Sequence, residues 1–181
     1  MLTVSIAINH DLDKEIENVI KIISRIKYKY KICIIDNGSQ NRSYFNKYQN
    51  VEYYFIGKHI GYASAHNMAI DKISKLGNYH LITNVDLDFD SKIIEEMISY
   101  MQLNKNLGLL GPKIVNTDGS IYNSVKFLPK PHHLLFRKFF FNSLDFFLKD
   151  YVINNKKILN KINCTFISGC FLFFRTTELL E

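Results

Sequence analysis

A chain of 181 residues can bury one sizeable core and is too short for two ordinary domains. With 47% apolar and 22% charged residues but only 8 Gly and 3 Pro, it is neither disordered nor collagen-like nor linker-dominated. The excess of 23 Lys plus Arg over 17 Asp plus Glu, a formal charge of +6, suits an anionic partner without choosing among nucleotide, nucleic acid and acidic membrane surface.

The elements are legible in chain order. Thr3 to Ile8 reads as a first strand, and Asp11 or Asp13 can cap the helix behind it. Ile16, Val19, Ile20, Ile23 and Ile26 share one 3.6-period face. Lys31 to Ile35 is apolar almost without interruption, as expected of a parallel strand buried on both faces. Asp36-Asn37-Gly38-Ser39 is turn chemistry, and Val51 to Ile56 is a third strand. After the loop Gly57 to Gly61, Ala65, Ala69, Ile70 and Ile73 predict a helix that stops at Gly77-Asn78. Tyr79 to Thr83 is a fourth strand. Asp90 or Ser91 caps a helix carrying Ile93, Ile94, Met97, Ile98 and Met101, and Leu107 to Leu110 is a fifth strand. Strand and helix alternate to residue 110, which predicts a parallel sheet built from βαβ units.

After Pro112 the rhythm changes. Lys113 to Val115, Asp118-Gly119 and Ile121 to Val125 read as a hairpin. Leu128 to Pro131 is a stiff loop, Leu134 to Asp150 an amphipathic helix, and Phe166 to Phe174 a late strand. Cys33, Cys164 and Cys170 show no C-x-x-C spacing, so neither a disulfide framework nor a zinc site is expected, and a reducing cytosol fits. No 18-residue apolar stretch and no signal-peptide pattern is present.

In open α/β sheets the ligand lies beyond the carboxyl ends of the strands. Those ends read Asn9-His10-Asp11, Asp36-Asn37-Gly38-Ser39 and Asn84-Val85-Asp86-Leu87-Asp88, and a parallel sheet puts all three on one edge. Asp86-x-Asp88-x-Asp90 offers carboxylates to a divalent cation; an EF-hand is excluded because Ser91 and Met97 stand where Gly and Glu are needed. A phosphatase of the haloacid dehalogenase type, with Asp86 as nucleophile and Asp88 as acid, is a rival, against which Phe89 stands where Thr or Val is expected. Gly57 to Tyr62 is neither a P-loop nor G-x-G-x-x-G, although it opens a helix whose amides could face an anion. His66, alone on that helix, reads as a packed residue, and adjacent His132-His133 as exposed rather than metal-binding. Phe136, Phe139 to Phe141 and Phe146-Phe147 with Arg137-Lys138 read first as core packing, with contact to a membrane surface or lipid-linked acceptor as the functional alternative; no RNA-binding motif accompanies them.

These segments resemble family 2 glycosyltransferases. Val4 to His10 is similar to their first strand, Ile34 to Ser39 to their V-D-N-G-S motif, and Gly61 to Ile70 to their G-x-x-x-x-x-N-x-A/G-I segment. Leu81 to Asp86 resembles the L-x-x-N-P-D form of the DxD site, with Val85 in place of Pro; Gly111-Pro112-Lys113-Ile114 with Asp118-Gly119 resembles the stretch that follows. Lys126 to Pro131 with Arg137-Lys138-Phe139, and Ser168 to Leu172 with Arg175, resemble the rhamnosyltransferase-like branch.

The resemblance implies a GT-A fold, a Rossmann-like α/β architecture with a mostly parallel sheet and helices on both faces. It implies a single nucleotide-sugar-binding domain over 1–181, with a donor core over 1–111 and the start of an acceptor region over 112–181. The function implied is metal-assisted, inverting transfer of a sugar, plausibly rhamnose, from a nucleotide-diphosphate donor to a surface polysaccharide or its lipid-linked precursor. By similarity Asn9, Asp36, Gly38, Gly61, Asn67 and Asn84 line the nucleotide pocket, with Asp36 on the base, and Asp86 and Asp88 hold Mg²⁺ or Mn²⁺. A cytoplasmic location, with peripheral contact at the inner face of the membrane, and no nucleic-acid partner are expected. The family's acidic G-x-F-D-E segment, which carries its catalytic base, would begin where Leu179-Leu180-Glu181 ends the sequence, so the expectation is donor binding without family-like transfer; only Glu178 and Glu181 follow the late strand. The alternative function is an inactive nucleotide-sugar-binding fragment.

Overall fold

The computed structural model describes residues 1–38, 40–73, 77–122, 125–126, 163–164 and 166–179. Ser39, the loop Leu128 to Pro131, His132-His133, the helix over Leu134 to Asp150 with its phenylalanines and basic pair, and Glu181 lie outside the described residues. The chain divides into two compact units, Met1–Leu110 with Gly169–Glu181, and Gly111–Ser168.

The first unit holds a six-stranded sheet. Its strands are β1 (Leu2–Ile8), β2 (Tyr30–Asp36), β3 (Val51–Phe55), β4 (Tyr79–Thr83), β5 (Leu109–Leu110) and β8 (Phe171–Arg175), in the order β3-β2-β1-β4-β8-β5. β1, β2, β3 and β4 run parallel, and β8 enters antiparallel between β4 and β5. The expected late strand over Phe166 to Phe174 is therefore two: β7 (Phe166–Ile167) pairs antiparallel with β6 (Val125–Lys126) in the second unit, and β8 completes the main sheet. The expected hairpin is reduced to a Val115–Ile121 bridge around a turn in which Gly119 has φ +82°.

Three helices belong to this sheet: α1 (Asp13–Ser24), α2 (Tyr62–Lys72) and α3 (Lys92–Leu103). α1 forms where five isoleucine and valine side chains, Ile16, Val19, Ile20, Ile22 and Ile23, fall on its buried face. Neither Asp11 nor Asp13 caps it; Leu12 is the N-cap and Glu15 accepts the Leu12 N–H at 3.2 Å. α2 packs Ala65, Ala69 and Ile73 onto Cys33 and Ile35, and small alanines let the helix lie close to the sheet. Lys27, just past α1, donates its N–H to Glu95 of α3 (2.9 Å), which ties those two helices together. Arg175, at the end of β8, donates to the Met101 (2.8 Å) and Asn104 (3.2 Å) carbonyls, so a cation satisfies the negative end of α3. A short α4 (Thr176–Leu179) follows.

Strand register positions the site. β1 and β2 are paired from Leu2–Tyr30 to Ile8–Asp36 and end together, so Asn9 and Asn37 leave the sheet side by side. Asn37 N–H closes that edge on the Ile8 carbonyl at 2.8 Å. Both faces of the central strands are buried: Val4, Ile6, Ile32 and Ile34 on one, Thr3, Ser5, Cys33 and Ile35 on the other. The apolar side chains supply the burial free energy, about 1.5–3 kcal/mol for each large aliphatic residue; burial also pushes the Cys33 thiol up to about 12.

Candidate functional site

The carboxyl edge of the parallel strands carries the expected residues in two settings. At the β1/β2 end, Asp36 is completely buried. Its Oδ1 accepts the Gly38 N–H (2.7 Å) and its Oδ2 accepts the Tyr53 hydroxyl (2.6 Å). The Arg42 guanidinium stands 3.7 Å from the same Oδ2, 3.4 Å from Asp13 Oδ1 and 3.4 Å from the Asn9 carbonyl. Tyr53 in turn accepts the Arg42 backbone N–H at 2.7 Å, so aspartate, tyrosine and arginine form one closed cluster. Burial, and then the bond to Asp36, hold the Tyr53 hydroxyl far above its ordinary pKa. Gly38 is required: a Cβ there would lie 2.4 Å from the Asn9 carbonyl oxygen and 2.8 Å from Asp36 Oδ1. Asn9, half-buried, donates its N–H to Asp11 Oδ2 at 2.7 Å. Two buried polar atoms here, Asn37 Oδ1 and Arg42 Nη1, have no hydrogen-bond partner among the described residues.

At the β4 end the setting reverses. Asp86 and Asp88 are exposed, and among the described residues neither carboxylate has a hydrogen-bond or ion-pair partner. Buried Val85, 4% exposed, anchors the turn in place of the expected proline. Asn84 is half-buried and donates its N–H to the Cys170 carbonyl at 2.9 Å. Ser91 is the N-cap of α3, and Asp90 just before it accepts the Lys92 N–H (2.9 Å). No group of three or more metal-ligating side chains is gathered among the described residues. Two open carboxylates on one turn still suit Mg²⁺ or Mn²⁺, hard cations that take one or two carboxylates and complete their shell with phosphate oxygens and water.

α2 borders this end. Gly61 is its N-cap with φ +85°, a conformation that side chains resist. Asn67 is exposed on the second turn, and His66 beside it is buried, 3% exposed. Tyr62 opens the helix; its ring meets the His66 ring edge-on at 4.3 Å, and its hydroxyl donates to the Gly169 carbonyl. Burial first, then Cys170, then the nearby charge of Asp86 push that hydroxyl up to about 12.

Arg42, Tyr53 and Tyr62 were not singled out by sequence reasoning. An arginine three residues past the Gly38 turn, with acids at Asp13 and Asp36, was the available signal for the first. Tyr53 and Tyr62 look like any other strand or helix aromatic. The polar residues Thr3 and Ser5 inside an apolar strand, with His80 opposite, marked a buried hydrogen-bonded chain. Thr3 meets His80 Nδ1 at 2.9 Å, His80 Nε2 meets Ser5 at 3.0 Å and Ser5 meets His66 Nδ1 at 2.8 Å.

Comparison with known proteins bears on the family and the fold. The family model for glycosyl transferase family 2 matches residues 6–177. The chain is 24% identical over 110 residues to the N-acetylglucosaminyl-diphospho-decaprenol L-rhamnosyltransferase of Mycobacterium tuberculosis, covering 54% of this chain but 36% of that protein. The fold is similar to that of S. aureus TarS 1-349 in complex with UDP-GlcNAc: TM-score 0.55, 14% identity, 68% of this chain and 37% of that one. It is also similar to the mannosyltransferase PcManGT from Pyrobaculum calidifontis in complex with GDP-Man and Mn²⁺: TM-score 0.52, 15% identity, 64% of this chain and 35% of that one. The chain thus spans little more than a third of the length of these relatives, yet from its first strand to α4 it belongs to glycosyl transferase family 2.

Proposed function

We propose that this chain binds the diphosphate sugar of a nucleotide at the carboxyl edge of β1, β2 and β4 and serves metal-assisted sugar transfer. The observation that carries the reading is the pair of exposed, unpartnered carboxylates, Asp86 and Asp88, on the same sheet edge as the rigid Asp36–Gly38 turn. Asp86, with Asp88 beside it, would hold Mg²⁺ or Mn²⁺, which supplies positive charge to the diphosphate as it departs. The Asn9 and Gly38 backbone forms the floor against which the nucleotide would lie. Asp36, buried beneath this floor, would serve the base pocket by holding Gly38 and Tyr53 in place, and Gly61, Asn67 and Asn84 would border the ribose and diphosphate. Proteins with the same fold bind UDP-GlcNAc and GDP-Man, and one of them does so with Mn²⁺, which supports the ligand class.

The finer reading is transfer of a deoxysugar such as rhamnose, with inversion, to a lipid-linked or polysaccharide acceptor. Its support is the name of the mycobacterial relative. No helix among the described residues is long and apolar enough to cross a membrane. The test is calorimetry with UDP, GDP and dTDP, each with and without Mn²⁺, followed by transfer assays with the matching sugars. Binding that needs Mn²⁺ and is lost in Asp86→Ala is expected. Equal binding with and without the metal, unchanged in that variant, would defeat the reading.

A further inference from the structure

The buried chain of polar side chains beneath α2 has one proton order that satisfies all its donors. Thr3 Oγ1 donates to the Tyr79 carbonyl (3.2 Å), so its oxygen is free to accept from His80 Nδ1–H (2.9 Å). The neutral His80 ring then presents a bare Nε2, which takes the Ser5 proton (3.0 Å). Ser5 Oγ accepts from His66 Nδ1–H (2.8 Å). His66 Nε2 is left as a lone pair, buried and without a hydrogen-bond partner among the described residues. The opposite order would strip the Tyr79 carbonyl of its threonine bond and bury an unpaired His66 N–H, the costlier defect. Thr3, Ser5 and His80 are all fully buried, so water does not compete for these bonds.

From His66 the contacts continue to the candidate site. The His66 ring supports Tyr62, and the Tyr62 hydroxyl binds the Gly169 carbonyl. The next carbonyl, that of Cys170, accepts the Asn84 N–H, two residues before Asp86. A Cβ on Gly169 would come within 3.3 Å of the Tyr62 ring, so the tyrosine lies directly on that turn.

We propose that His66 is a positioning residue of the donor site: held as its Nδ1–H tautomer by Ser5, it braces Tyr62, and Tyr62 fixes the Gly169–Cys170 turn that holds the Asn84–Asp86 strand end. The proposal rests on the donor-site reading for its effect on ligand, and on the brace alone for its effect on the chain. A tautomer fixed by its second nitrogen keeps the ring in one orientation, as hydrogen-bonded partners do for histidines in other sites.

The test compares His66→Ala, His66→Asn and Tyr62→Phe with the unmodified chain. Amide hydrogen exchange is followed at Asn84 and, as a distant control, at Ile32, whose N–H binds the Asn50 carbonyl. Binding of UDP, GDP and dTDP with Mn²⁺ is measured alongside. His66→Ala and Tyr62→Phe should each speed Asn84 exchange about tenfold and leave Ile32 within about twofold, and the double variant should add little, because both cut one chain of contacts. His66→Asn keeps a donor near Nδ1 but has no ring to meet Tyr62, so it should speed Asn84 exchange about as much as His66→Ala, and parent-like exchange in it would overturn the brace. Nucleotide affinity should fall about fivefold in all three variants. Additive effects, equal acceleration at Asn84 and Ile32, or no acceleration in Tyr62→Phe would overturn the brace. If His66→Ala does not fold, Tyr62→Phe decides the matter, since it removes only a hydroxyl. If the parent chain binds none of the three nucleotides, the donor-site reading fails, and the exchange rates still judge the brace.

Discussion

The β1/β2 end and the β4 end of one sheet edge carry the same residue type in opposite chemical states. Asp36 is sealed, with both oxygens engaged by Gly38 and Tyr53 and a guanidinium alongside. Asp86 and Asp88 stand in solvent without partners among the described residues. The first carboxylate spends its charge on the shape of the edge. The second pair keeps its charge for something else. An aspartate at a strand end is therefore not one kind of signal: burial and partners decide whether it builds the site or serves it.

The comparison is broken most directly by Asp36→Ala. The substitution leaves the Arg42 guanidinium, 12% exposed, with the half-exposed Asp13 carboxylate and the Asn9 carbonyl, and leaves the Tyr53 hydroxyl without its acceptor. Removing one partner of a buried pair costs about 3–5 kcal/mol. Urea unfolding should show a loss of that size. A variant as stable as the parent would mean that Asp36 is no structural keystone and that its charge is available to ligand.

Acid tests whether the interior polar groups are as sealed as the geometry has them. Burial pulls both His66 and His80 down to about 4, with the nearby His66 ring adding to the effect at His80. The folded chain keeps them neutral while the unfolded chain protonates them below about 6.5. Stability present above pH 6.5 is therefore lost as pH falls toward 4, by up to about 3 kcal/mol for each ring. Denaturation midpoints read between pH 7.5 and 4.5 should decline accordingly. Imidazole titrations near pH 6.5 for all six histidines of the folded chain would contradict the burial.

The open end should behave in the contrary manner. Asp86→Ala removes an exposed carboxylate, so stability should move by less than about 0.5 kcal/mol. Mn²⁺-dependent affinity for a nucleotide diphosphate should fall by at least about 2 kcal/mol, roughly thirtyfold. Asp88→Ala is the sharper companion, since an equal loss would assign both carboxylates to the metal. A variant that unfolds, or one that binds as before, would erase the distinction between the two ends.

Much of this was readable from residue order. Tyr79–Thr83 falls where the apolar run puts it, and β1, β2 and β3 differ from expectation by a residue or so at their ends, because short runs rich in β-branched and aromatic residues, bounded by turn residues, leave strands few alternatives. The three polar strand ends share an edge because β1, β2 and β4 are parallel. What was not readable is non-local. β8 pairs Phe171–Arg175 with Tyr79–Thr83 across nearly a hundred residues, and no local pattern announces an antiparallel strand between β4 and β5. The short 3-10 turn Ser43–Lys47, which brings Arg42 and Phe45 under the edge, has no periodicity to betray it. The burial of Asp36 depends on Tyr53, 17 residues later, and on Arg42; sequence spacing alone says nothing of either contact.

The smallest expected effect is the most specific. Tyr53→Phe keeps the ring, which is 7% exposed and packs with Phe45 at 6.1 Å, and deletes only the hydroxyl. That hydroxyl gives its proton to Asp36 and takes the Arg42 backbone N–H, so it joins the β2 end to the start of the following turn alongside the Arg42 guanidinium. Its loss removes one charge-assisted bond and leaves one backbone donor unpaired in a half-buried place, a cost of about 1–2 kcal/mol. Asp36 Oδ2 then turns to Arg42 alone while Oδ1 keeps the Gly38 N–H, and the loop that carries Arg42 gains freedom next to the Asn9 carbonyl. Nucleotide affinity should drop about threefold while the Mn²⁺ requirement is unchanged, because the β4 end is untouched. Equal stability and equal affinity in Tyr53→Phe would show that the guanidinium by itself holds Asp36 in place. A changed metal requirement would show that the two ends of the edge are coupled, and the contrast between a sealed carboxylate and an open pair would then describe one site rather than two parts of it.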